Sequence, residues 1–183
     1  MNSKQAYEIL KKYMTKPNLL KHSIAVSACM EHFAKLEKEN ADYWGAVGML
    51  HDVDYEINPK QDHSQSPDIL KKEGFDDEFI YSVQSHAYGI CSDVEPKLYM
   101  EKVLLTVDQL SGFIIACALI RPEKKLEFVT MESIKKRWKV PTFAGGTNRE
   151  RIMQFCEKMG KSFDYIAKQT LIALQGIAGK LGL

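Results

Sequence analysis

Apolar residues recur at three- and four-residue intervals along almost the whole chain, and nowhere is there a useful run of two-residue alternation. Tyr7, Leu10 and Met14 keep this spacing in the first segment, and Ile24, Cys29, Phe33 and Leu36 do much the same in the second. A stripe of that period is buried by a helix and scattered to both faces by a strand, so the pattern dictates an all-α fold. No internal repeat or low-complexity tract interrupts it.

Punctuation places the helices. Pro17 suits the first turn of the second helix, where its missing N–H would be unpaired anyway. A third helix is expected from about Asp42 to His51, followed by a break at Asn58-Pro59. Ser66-Pro67 reads as a cap and first turn of a short helix that Gly74 ends, and Asp76-Asp77 open the next. A long apolar helix should run from about Leu98 to Ile120 and stop at Arg121-Pro122. Beyond it come a short basic helix, "MESIKKRWK", a turn-like "PTFAGGTN", and a last helix to about Leu174, with Thr147 and Glu150 as its capping box.

With 183 residues, 45% hydrophobic and 27% charged, the chain suits one folded domain. Its net charge of +1 supplies no field to draw it onto nucleic acid or an anionic membrane. The longest uninterrupted apolar run, "GFIIACALI", is about half a membrane span, so none is expected. Met1 is followed by polar residues without the apolar core of a secretory signal, which makes the cytoplasm the expected compartment. The four cysteines form no CxxC pair and read as reduced packing residues, not metal ligands.

Against this background the stretch "GMLHDVDYE" stands out. It sets His51 and Asp52 side by side at the end of an apolar run, where a carboxylate is costly to bury unless it is paired or bound to a metal. The same question attaches to Asp108, inside "LLTVDQLSGFIIACALI". A metal ion answers both, turning a costly buried charge into a ligand.

Taken in chain order, the sequence offers His22, His51-Asp52, His63, His86 and Asp108. This order resembles the HD-domain metal-dependent phosphohydrolases, an all-helical superfamily named for its His-Asp doublet. The core signature, a His, a His-Asp and a later Asp, matches His22, His51, Asp52 and Asp108. The intervening His63 and His86 resemble the extended form of binuclear members, including bacterial diadenosine tetraphosphate hydrolases. "LHDVDYE", "SHAYG", "VDQLSG" and "ALIRPEKKL" also look like an uncharacterised subgroup of predicted HD hydrolases. The resemblance covers about residues 18–120 as an HD core and leaves 121–183 as a helical extension of the same domain.

Mixed imidazole and carboxylate ligands suit one or two divalent ions of Fe, Mn, Zn, Co or Ni, with Mg also admitted. If Asp52 bridges, with His22, His51 and Asp108 on one ion and His63 and His86 on the other, open positions remain for catalysis. Such a pair can activate water and stabilise entering and leaving oxygens on phosphorus. The resemblance therefore implies hydrolysis of a phosphate ester or anhydride of a small metabolite, a nucleotide being favoured by family likeness alone. Two alternatives stay open: a non-catalytic nucleotide-binding or regulatory module, and a di-iron oxygenase on the same scaffold.

Around the ligands, Asp52 is the expected catalytic carboxylate. Asp54 and Glu56 are candidate proton donors, set against the plainer reading of loop charges. Lys60 is a candidate cation for the substrate, and Ser111 and Gly112, one turn past Asp108, leave room for it. Arg121 lies about 20 Å along the helix from Asp108 and cannot reach the same phosphate. His32 is about 15 Å along and roughly 80° around from His22, so it reads as a packing residue. "FAGGTNRER" is faintly anion-friendly but lacks a P-loop ending, and Trp138 and Phe143 read as packing. Expected partners are the small substrate alone, without nucleic acid or membrane; self-association is left open.

Overall fold

The computed structural model describes residues 1–58, 60 and 63–183, so Pro59 of the expected break lies outside the described residues. The helices are α1 (Ser3–Leu10), α2 (Pro17–Glu37), α3 (Ala41–Leu50), α4 (Ser66–Lys72), α5 (Asp77–Ser85), α6 (Tyr99–Leu119), α7 (Met131–Trp138), α8 (Arg149–Lys158), α9 (Phe163–Gly176) and α10 (Ala178–Leu181). Among the described residues there is no strand, only an isolated bridge between Tyr88 and Ser92. The fold is an all-α bundle.

Local chemistry explains most boundaries. Pro17 opens α2, and Lys38 ends it in the left-handed region at φ 60°. Asn40 and Asp76 cap α3 and α5, each accepting the N–H three residues on. The expected last helix is two: α8 ends before Gly160, whose φ of 65° turns the chain, and α9 starts afresh with Ser162 as its cap. The cap of α8 is Asn148, not Thr147, because the Asn148 side chain accepts the Arg151 N–H at 3.0 Å.

α2 and α6 form the centre. α2 packs on α3, α6 and α9, and α6 also packs on α8. Phe33, Leu104, Leu110, Phe113 and Ile114 are fully buried between them. Residues of the 121–183 extension, among them Leu126, Ile134, Ile152, Ile166 and Leu174, join the same apolar core. Trp138 and Phe143 pack edge-on against Phe113, at 5.1 and 5.3 Å between ring centres, in keeping with packing roles.

The most extensive helix contact is between α2 and α3. Ser27 donates its hydroxyl to the Gly45 carbonyl at 2.8 Å. A Cβ on Gly48 would meet Ser27 Cα at 3.1 Å and Met30 Cγ at 2.8 Å. The bare Gly48 lets the end of α3, and with it His51, sit against the helix that carries His22.

By length and composition α6 would pass for a membrane span, although the polar residues around Asp108 break it into shorter apolar runs. Of its most apolar window, 61% is buried in the bundle. It is the core helix of this fold.

Candidate metal centre

Four elements deliver the ligand-type side chains to one place. His22 projects from the first turns of α2, and His51 and Asp52 follow the last turn of α3. His86 follows α5, and Asp108 comes from the middle of α6. His63 lies just before α4 with φ 55°, an uncommon left-handed conformation for a residue with a side chain.

Asp52 lies between two groups. Its Oδ2 is 3.3 Å from His51 Nε2 and 3.7 Å from His22 Nε2. Its Oδ1 is 3.4 Å from His86 Nε2 and 3.6 Å from His63 Nε2. On the first side, Asp108 Oδ1 approaches His22 Nε2 at 3.0 Å and His51 Nε2 at 3.5 Å. His22, His51 and Asp108 form one compact ligand group, and His51, Asp52 and His86 a second, each within 4.8 Å. These buried His/Asp clusters can hold metal, and they are compatible with an HD-like site.

The donor chemistry fits an ion. His22 and His51 bring their Nε2 atoms to 3.2 Å. Two lone pairs facing each other at that distance repel unless a cation or a proton lies with them. Metal–ligand bonds of about 2.0–2.1 Å set neighbouring donor atoms roughly 3.0–3.4 Å apart, close to the spacings seen here.

The second ring nitrogens explain how the lone pairs are aimed. His51 Nδ1 donates to the Gly48 carbonyl at 2.8 Å, and His86 Nδ1 donates to the Val83 carbonyl at 2.6 Å. Each histidine follows a helix and bonds back to a carbonyl three residues earlier, one that helix ends leave available. That fixes the proton on Nδ1 and turns Nε2 inward. His63 is fixed by a side chain instead, its Nδ1 facing Asp54 Oδ1 at 3.2 Å. Asp54 is fully buried and also accepts the Gln65 N–H at 3.0 Å.

Charge follows from this crowding. Burial alone would lower the pKa of His51, but Asp52 and Asp108 outweigh it and raise it well above 6.5. Burial opposes ionisation of Asp52, yet His51 and His86 hold its carboxyl well below the usual range. Asp108 is likewise lowered, His22 and His51 outweighing burial. For His63, burial again lowers and Asp54 with Asp52 raises, for a net rise.

The cluster opens into a cavity of about 500 Å³, a size that suits a small molecule. His22, Asp52, His63, His86 and Asp108 line it, together with Lys60 and Tyr55. Ser111 does not line it, being fully buried with its hydroxyl on the Asp108 carbonyl. Gly112 lines a second cavity, beside Asn18, Lys21 and Ile115, that shares His22 with the first. Three residues from Asp108 is the same side of a helix, but the Ser111 side of α6 is packed. Glu56 is engaged at the start of α2, accepting the N–H groups of Thr15 and Lys16. Arg121 pairs with Glu123, and His32 bonds Gln169 on α9.

Two residues near the cluster gave little sequence signal. Tyr55, inside the HD stretch, places its ring 6.0 Å from that of His63. Arg151, one of many cations in the extension, donates from Nη2 to the His86 carbonyl at 3.0 Å. Only a contact across 65 residues reveals it. No protein-family model, curated protein or solved structure matches this chain.

Proposed function

We propose that this protein is a metal-dependent phosphohydrolase of HD type, acting on a phosphate ester or anhydride of a small metabolite. The observation that carries the reading is the two-sided engagement of Asp52, one oxygen toward His22 and His51 and the other toward His63 and His86. His22, His51, Asp52 and Asp108 would hold one divalent ion, and His63 and His86, sharing Asp52, a second. Bound there, the ions would lower the pKa of a coordinated water and neutralise charge developing on phosphorus.

The chain's own groups supply the rest. Nδ1–H bonds to backbone or to Asp54 keep three of the ligand atoms, the Nε2 atoms of His51, His63 and His86, from reorienting during a reaction. Asp54, buried and engaged by His63, acts as a positioning residue in this reading, not as a proton donor. Lys60 and the Tyr55 hydroxyl are the cavity groups able to meet a phosphate oxygen. A nucleotide is the favoured substrate only through the family likeness.

The test is metal analysis of protein purified without chelators, followed by a phosphate-release screen over nucleotides and sugar phosphates with that metal restored. Release from one substrate class, abolished by Asp52→Ala, supports the reading. Full metal content with no release from any substrate would turn it toward a non-catalytic binding module. Oxygen consumption with Fe, in place of phosphate release, would favour the oxygenase.

A further inference from the structure

The segment "FAGGTNRER" lies outside the cavity of the metal cluster, yet it holds two of the elements that carry ligands. The Asn148 N–H donates to Gln109 Oε1 at 2.8 Å, and Gln109 is the neighbour of Asp108 on α6. One turn on, Arg151 reaches the His86 carbonyl at 3.0 Å. The Asn148 side chain joins these two ties by capping the Arg151 N–H.

Arg151 is an expensive residue for this purpose. It is only 8% exposed, and its Nη1 is buried without a hydrogen-bond partner. A buried guanidinium with an uncommitted nitrogen costs stability that an apolar side chain at the start of α8 would not. Burial lowers its pKa while Asp108 raises it, so it lies within electrostatic reach of the cluster.

At His86 itself the backbone bonds past α5 are long, His86 N to Val83 O and Ala87 N to Gln84 O at 3.3 Å. The tighter ones come later in the turn, Ile90 N to Ala87 O at 3.0 Å and Gly89 N to Ser92 O at 2.9 Å, so the Arg151 bond adds a hold where the backbone holds least. Gly89 then turns the chain at φ 72°.

We propose that Arg151 is a positioning residue for the second ion: its bond to the His86 carbonyl, with the Asn148–Gln109 bond, fixes His86 relative to Asp108 and makes the 121–183 extension part of the metal centre. The inference rests on the two-ion reading above and deepens it. Groups behind a ligand commonly change metal affinity by about 10- to 100-fold.

Equilibrium dialysis of the full chain against Mn(II), without substrate, provides the test. Wild-type protein should bind two equivalents. Arg151→Met should keep the first ion at wild-type affinity and bind the second about 10- to 100-fold more weakly. Arg151→Lys, which keeps a donor, should restore part of that loss, and Gln109→Ala covers the case in which Arg151→Met does not fold, again with the second ion weakened. A wild type that binds two ions while Arg151→Met and Gln109→Ala bind both as tightly overturns the inference alone. A wild type that binds fewer than two overturns it together with the two-ion reading. Equal weakening of both ions in Arg151→Met also overturns it, since that is what general loosening of the fold would give.

Discussion

Asp54, fully buried, pairs with the partly buried His63, the carboxylate 3.2 Å from the ring nitrogen Nδ1. The same carboxylate accepts the Gln65 N–H, so a single side chain fixes both the ring and the backbone on either side of Ser64. His63 also holds a left-handed backbone at φ 55°, a conformation that persists only when its surroundings impose it. Asp54→Ala should cost about 1–3 kcal/mol of stability through the orphaned donors, measured by urea unfolding of metal-free protein. It should also weaken the second metal equivalent while sparing the first. Loss of turnover with both equivalents tightly held would instead favour Asp54 as a proton donor.

Because its two oxygens serve different histidines, Asp52 and Asp108 should fail differently. Asp52→Ala removes a ligand from both sides and should reduce both metal equivalents. Asp108→Ala removes one from the His22 and His51 side only and should spare the ion at His63 and His86. Metal content after dialysis, measured side by side, distinguishes the two. Equal retention in both variants would mean that Asp52 does not bridge.

Proton competition gives the pH dependence. In the metal-free protein His51 and His63 have raised pKa values, because neighbouring carboxylates outweigh the effect of burial. An ion needs both rings deprotonated at Nε2, so uptake must displace those protons. Affinity should therefore climb as pH rises through 6.5 and go on climbing until it passes the raised values, then level off. Calorimetry in two buffers of different ionisation enthalpy should register proton release on binding at neutral pH and less at higher pH. A flat profile from pH 6 to 8 would contradict the charge state described for the cluster.

Much of this centre is legible in the sequence, for a physical reason: a carboxylate in an apolar helix and a His-Asp doublet after an apolar run are expensive unless something is bound there. Helix starts are legible for a similar reason, since Pro17 and Asp76 act on their immediate neighbours. What stays hidden depends on distance through the fold. Spacing puts Ser111 on the side of Asp108 but cannot say that this side is packed, and the Arg151 contact with His86 has no local trace. Thr147 and Asn148 are both competent caps, and only the backbone chooses between them. α8 and α9 read as one helix because the amphipathic pattern continues through Gly160.

Gly48 serves the site twice, by what it lacks and by its carbonyl. Its missing Cβ lets α3 approach α2 within contact of Ser27 backbone, and its carbonyl accepts the His51 Nδ1–H that aims Nε2 into the cluster. A methyl group here would meet Ser27 Cα at 3.1 Å, and backbone cannot move aside as a flexible side chain can. Gly48→Ala should therefore cost about 1–3 kcal/mol, the usual range for overpacking a tight contact, offset in part by the better helix propensity of alanine. The displaced helix end carries His51 with it, so the first metal equivalent should weaken as well. Gly45→Ala is the control, because the three atoms nearest its added Cβ all belong to the flexible Glu31 side chain and not to backbone; it should leave metal binding unchanged. Equal thermal midpoints and metal affinities for the two variants would show that the α2–α3 contact does not set the position of His51.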